Sequence, residues 1–177
     1  RSPHHYARIK SIDTSRVEAL PGVIAVSTGQ DAPNRFGVLP VTKDEHAMAV
    51  EKVRHVGDLV ACVAAVDEAT AIEALSLFDI EWEELEPVFD PKKGLEDHDE
   101  PIHWRGKYHL ARTNVQKRVF QEFGDRSLVN SPHASSHGSW TMAGVHHGFT
   151  EPHAVVAHWD PNGRLQLYTP QQVPHYT

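Results

Sequence analysis

The chain of 177 residues has one cysteine, Cys62, so no internal disulfide and no cysteine-rich metal centre can be built. Cys62 lies in the apolar run from Leu59 to Val66, where a lone cysteine is expected to be a small buried hydrophobe. That run is the longest apolar stretch in the sequence, far below the roughly 20 residues that cross a bilayer as a helix. No basic-then-apolar leader opens the chain, and the reading is a cytoplasmic protein without a membrane span. Positive charge is also short. The 17 Lys and Arg face 24 Asp and Glu, a formal charge of -7, which argues against a nucleic-acid groove built on clustered cations. An anionic cofactor held by backbone N–H groups remains compatible. No phosphate-binding glycine loop, dinucleotide fingerprint or nucleophile elbow is present. The chain opens at Arg1 without Met and closes at Thr177 without a polar tail, and both ends read as cut from something longer.

With 40% hydrophobic residues a packed core is expected. Arg8 to Asp13 alternates as a half-buried strand, and Thr14 or Ser15 can cap a short helix from Arg16 to Leu20 that Pro21-Gly22 stops. Val23 to Thr28 is a second strand, and Asp31 to Asp44 reads as loop. Val53 to Val66 carries strand signal on both sides of Gly57-Asp58, its apolar second half being expected as a central strand. A helix from Asp67 to Phe78 follows, capped by Asp67, with Ala71, Leu75 and Phe78 on one face. Asp79 to Leu85 returns as a strand, with Glu81 and Glu83 expected to face solvent. The unit ends near Pro87 to Pro91. The fold class is α+β.

Residues 93–114 are polar and irregular and read as a linker, its acidic cluster from Glu96 to Glu100 as a solvated loop. Beyond it the pattern is β: Val115 to Phe123, His137 to Val145 and Ala154 to Trp159 are expected strands. Asp160-Pro161-Asn162-Gly163 turns the last of them into a hairpin with Arg164 to Tyr168.

Fourteen histidines raise the question of a metal. The densest group, His146-His147-Gly148-Phe149-Thr150-Glu151-Pro152-His153, puts neighbouring imidazoles on opposite faces of a strand, so no metal ligand is assigned. Glu151 reads as a buried, hydrogen-bonded carboxylate.

Three stretches in one order resemble the large subunits of the xanthine dehydrogenase and aldehyde oxidase family, the molybdenum hydroxylases. These are Arg1-Ser2-Pro3-His4 with Ala7-Arg8-Ile9 and Ala19-Leu20-Pro21-Gly22-Val23; then Val53-Arg54-His55-Val56-Gly57-Asp58 with Val63-Ala64-Ala65 and Ala69-Thr70-Ala71. The third is Glu151-Pro152-His153-Ala154, Asp160-Pro161 and Gln172-Val173-Pro174-His175. Phe36-Gly37-Val38-Leu39-Pro40 and the Gln172-Val173-Pro174 ending look nearest the 4-hydroxybenzoyl-CoA reductase large subunits. The resemblance implies an α/β hammerhead domain at 1–92 with its first strand incomplete. After the linker at 93–114 it implies the start of a molybdopterin-binding domain at 115–177. The chain is then the N-terminal piece of a molybdenum-dependent oxidoreductase, inactive by itself. No catalytic residue is assigned, because the family's later glycine-rich loop and catalytic Glu would lie beyond Thr177. The segment aligned with the cofactor approach is Ala143 to His146, so Gly144, Val145 and His146 are the cofactor-binding candidates. Relatives often carry Gln where this chain has Val145, which leaves only a backbone N–H to donate there. Around Arg126 to Ala134 relatives usually carry an Ala-rich helix, which Asn130, Ser131 and Pro132 break here.

The family further implies molybdopterin in the complete subunit, with iron–sulfur clusters and FAD on other domains or subunits. The implied partners are the rest of the large subunit, the iron–sulfur and flavin subunits, a small-molecule substrate and an oligomer. Two rival readings stand beside it: a non-catalytic interaction module from a truncated gene, and a small His-rich metal-binding protein.

Overall fold

A computed structural model describes residues 1–37, 43–103, 112–130 and 132–170. Parts of the Phe36 to Pro40 stretch, of the 93–114 linker and of the break at Ser131 therefore lie outside the described residues, as does the Gln172-Val173-Pro174-His175 motif. The fold is mixed α+β, rich in strands with few helices. It divides into two compact units, Arg1–Val119 and Phe120–Thr177.

In the first unit, β1 (Ala7–Asp13) is the middle of an antiparallel three-stranded sheet, flanked by β5 (Lys52–Val53) and β7 (Asp79–Glu84). The strand-centred core is Ala7, Ala49, Val53 and Val60, with Ile9, Ile12, Ile80 and Trp82 packed against it. Strict alternation would send Ile9 and Ile12, three residues apart, to opposite faces. A register shift between Ile9 and Ser11 in the β1–β7 ladder removes that conflict, since one extra residue restores Ile12 to the side of Ile9. Ile9 then pairs across the ladder with Trp82 and Ile12 with Ile80.

A second layer pairs β2 (Val23–Thr28) with β6 (Ala61–Ala65) and sets two short helices against them, α1 (Ser15–Glu18) and α2 (Glu68–Leu75). At α2 the expected cap forms, the Asp67 carboxylate accepting the Thr70 N–H at 2.8 Å. At α1 the cap differs from expectation. Neither Thr14 nor Ser15 bonds an N–H of the first turn; the Asp13 carboxylate accepts from Ser15 N at 2.9 Å and the Thr14 hydroxyl donates to Glu18. The buried face of α2 is also displaced: Ala74, on the side that packs on β6 and β2, is fully buried whereas Leu75 is 56% exposed.

β6 is not a central strand among the described residues. It pairs with β2 alone, alternate residues open outward, and Cys62 is exposed rather than buried. The Asp31 to Asp44 stretch, expected as loop, contributes β3 (Arg35–Phe36), which pairs with β4 (Glu45–His46).

In the second unit, a 3-10 turn at Arg126–Asn130 precedes the hairpin of β8 (Val156–Trp159) and β9 (Leu165–Tyr168). The hairpin turn is the one expected. Gly163 has φ +78°, and the Asp160 carboxylate accepts from Asn162 N and Arg164 N at 2.8 and 2.9 Å. The strands expected at Val115 to Phe123 and His137 to Val145 do not form. Alternation there had no partner ladder, and side-chain pattern alone cannot satisfy backbone groups.

Gly29 packs directly on the backbone of Ala49: a Cβ there would sit 2.7 Å from the Ala49 carbonyl carbon and collide with its oxygen. Gly29→Ala should therefore cost about 1–3 kcal/mol, the scale of overpacking a filled core, read as a lowered urea midpoint with unchanged slope.

Candidate functional site

Lys52 is 7% exposed, and its ammonium spends all three protons on protein. It donates to the Tyr6 hydroxyl at 2.7 Å, to a Glu100 carboxylate oxygen at 2.8 Å and to the Pro101 carbonyl at 2.9 Å. The Tyr6 hydroxyl donates in turn to the Pro101 carbonyl at 2.9 Å. The second Glu100 oxygen meets Arg8 at 3.2 Å, while Glu83 takes Lys10 at 2.9 Å and Arg8 at 3.4 Å. Glu100 is thus a docked residue and not part of a solvated loop, and Glu83 is tied to two cations although it is open to solvent. The Lys52 hydrogen bond, then the charges of Lys52 and Arg8, hold the Glu100 carboxyl below its ordinary value of 4.5 against the opposing effect of burial.

The docked segment runs on into Ile102 and His103, which line a cleft of about 550 Å³ within the first unit. Its lining includes Asp44, His46, Arg54, Asp58, His103 and Asn114. The Val53 to Asp58 run builds the floor. Gly57 takes φ +90°, the Asp58 carboxylate accepts the Arg54 N–H at 3.0 Å, and Arg1 donates to the Gly57 carbonyl at 3.0 Å. Asp44 and His103 stand 2.8 Å apart on the opposite side.

The expected site residues lie elsewhere, in the second unit. Gly144, Val145 and His146 are all exposed, Val145 at 93%. His146 Nδ1 accepts the Gly148 N–H at 2.9 Å, which places its proton on Nε2. Its ring lies 5.8 Å from that of Phe149, which meets His153 at 5.5 Å. Glu151, expected to be buried, is exposed. Among the described residues no three His, Cys, Asp or Glu side chains converge as a metal site. No described helix is long and apolar enough to cross a membrane.

The first unit, strands wrapped on two short helices with a docked C-terminal segment, matches over residues 1–86 the family described as "Aldehyde oxidase and xanthine dehydrogenase, a/b hammerhead domain". Residues 1–86 belong to this molybdenum hydroxylase family, and the likeness of the chain as a whole is to part of the large, molybdopterin-binding subunit. It is similar to the nicotinate dehydrogenase large molybdopterin subunit of Eubacterium barkeri, 35% identical over 178 residues, 99% of this chain and 40% of the relative. A probable hypoxanthine oxidase of Escherichia coli is 41% identical over 157 residues, 82% of this chain and 16% of that protein. Among solved structures, a Cu,Mo-CO dehydrogenase in its carbon monoxide reduced state is 33% identical with a TM-score of 0.76. It aligns with 99% of this chain, which covers 24% of that one. The chain spans less than half the length of each of these relatives.

Sequence reasoning missed Lys52 and Glu100 as partners. The only signal was a lysine opening a strand pattern and a glutamate beside Pro101, which no local rule connects. Because Glu100 binds its proton more weakly folded than unfolded, it adds stability above the ordinary value of 4.5 that is lost as pH falls below it. Glu100→Gln should flatten the acid limb of the stability profile, measured by urea unfolding at stepped pH. An unchanged limb would remove this carboxylate from the account.

Proposed function

We propose that this chain serves as the hammerhead portion, 1–92, and the opening of the cofactor domain, 115–177, in the large subunit of a molybdenum-dependent oxidoreductase. One observation carries the reading: a relative named as a molybdopterin subunit aligns over 99% of this chain at 35% identity. The proposed partners are the rest of a large subunit together with iron–sulfur and flavin modules, and the proposed compartment is the cytoplasm. An exposed, unpaired Cys62 suits a reducing compartment.

The segment around Gly144 supports a modest part in holding the cofactor. A Cβ at Gly144 would meet nothing within 4 Å, and the exposed backbone N–H groups of Gly144 and Val145 have no acceptor among the described residues. His146 Nε2–H is a third donor. This donor set fits one wall beside an anionic group. When bound, the molybdenum–pterin group supplies the redox chemistry. In this reading the residues of this chain orient it by hydrogen bonds and help to exclude water, and no base is assigned among the described residues.

Support also comes from what the second unit leaves open. Phe120, Phe123, Trp140, Met142 and Trp159 are 65–91% exposed, and an isolated two-stranded hairpin is marginal in water. Such a surface suits a chain that folds against further polypeptide. The test is the intact mass of the protein isolated from its natural source, with molybdenum measured by elemental analysis on the same sample. The expected result is a mass well above 19.8 kDa with molybdenum present. A mass of 19.8 kDa without molybdenum sinks the reading.

A further inference from the structure

The cleft beside Arg54 holds hydrogen-bond donors that the protein itself leaves unanswered. His46 Nδ1 and Asn114 Nδ2 are both buried and without a partner among the described residues. Each is a donor by the way its other end is fixed. Arg35 Nε, which can only donate, meets His46 Nε2 at 3.4 Å, so the imidazole proton sits on Nδ1. The cross-strand register of β3 and β4, which pairs Arg35 with His46, produces that contact. In Asn114, Oδ1 accepts the Ile102 N–H at 2.8 Å, so the amide is oriented with Nδ2 as the remaining donor.

Arg54 adds charge. Its Nε donates to the Ile102 carbonyl at 3.0 Å and its Nη1 to the Lys52 carbonyl at 3.3 Å. Among the described residues no carboxylate pairs with the guanidinium, and Nη2 has no acceptor. Three residues lining one cleft thus offer a guanidinium without a direct carboxylate partner among the described residues and two orphaned N–H donors. Leaving a buried donor unmade is costly, so the two buried donors beside a guanidinium call for acceptor oxygens.

We propose that this cleft binds a small monocarboxylate. A planar carboxylate presents about four lone-pair sites to these three donors, and Ala49 and Ile102 in the lining suit a short alkyl group. Asp44, Glu45 and Asp58 line the same cleft, and their negative charge selects against a dianion such as phosphate. The site lies within the first unit and does not depend on the cofactor reading above.

The experiment is a titration of the full 177-residue chain with acetate, followed by NMR of the Arg54 Nε–H, the Asn114 amide and the His46 ring. Parallel titrations use acetamide and inorganic phosphate. A saturable shift of these three groups with acetate, and a weaker one with the other two probes, is expected. Asn114→Asp keeps an acceptor for Ile102 N–H while turning the donor into a negative oxygen, and should weaken acetate binding at least about tenfold with an unchanged circular dichroism spectrum. Arg54→Gln should do the same. The proposal is overturned by no saturable response, by an equal response to acetamide or phosphate, or by undiminished binding in Asn114→Asp; the donors then hold water alone.

Discussion

Two cations face each other across a strand pair, and the first unit depends on how that is resolved. The β1–β5 register sets Arg8 directly opposite Lys52, an arrangement that like charges oppose. On its other side Arg8 stands opposite Glu83, which relieves only one of the two. Glu100 supplies the missing charge from 48 residues beyond Lys52, one oxygen on each cation. Because Lys52 is nearly buried, its ammonium also needs the Tyr6 hydroxyl and the Pro101 carbonyl. Residues 98–102 are thereby held against the sheet, and with them Ile102, whose carbonyl and N–H fix Arg54 and Asn114. Ile102 in turn lines the cleft, so the segment that settles the charge conflict also contributes to that wall.

What the sequence made legible was local. Asp67 capping α2, the Asp160 to Gly163 turn and the strands β1, β2, β7, β8 and β9 follow from periodicity and turn chemistry within a few residues. What stayed hidden depends on partners far along the chain. Ile9 and Ile12 share a face only because β7 imposes a bulge, and Ala74, on the side that packs on β6 and β2, is buried in place of Leu75. Cys62 sits in a run that reads as core, yet it opens outward because β6 has a neighbour on one side alone among the described residues. In the opposite direction, Val115 to Phe123 and His137 to Val145 alternate without a ladder to join. Periodicity states which face would be buried if a partner existed, and is silent on whether one does.

The site was legible at the level of kinship and not of geometry. The Val53 to Asp58 run is one of the three stretches that together carry the resemblance, and the structure gives it a physical meaning: a positive-φ glycine, and a carboxylate that ties off the Arg54 amide. Gly144, Val145 and His146 came from the resemblance alone, and all three are exposed. Orphaned donors such as His46 Nδ1 and Asn114 Nδ2 leave no trace in sequence, since both residues are polar, ordinary and far apart.

The two units differ in what they can do alone. The first buries Tyr6, Ala7, Val17, Ala49, Val53, Val60 and Ala74, and closes its main buried charge with protein groups. The second buries no described residue; Ala157, Trp159, Leu165 and Leu167 share one face of the β8–β9 hairpin by register, and that face is apolar throughout. An apolar face of that kind is stable only under cover. Selection for a self-sufficient module would have placed polar side chains on one of those four positions. An all-apolar hairpin face is what the proposed reading, a segment folded against further polypeptide, expects.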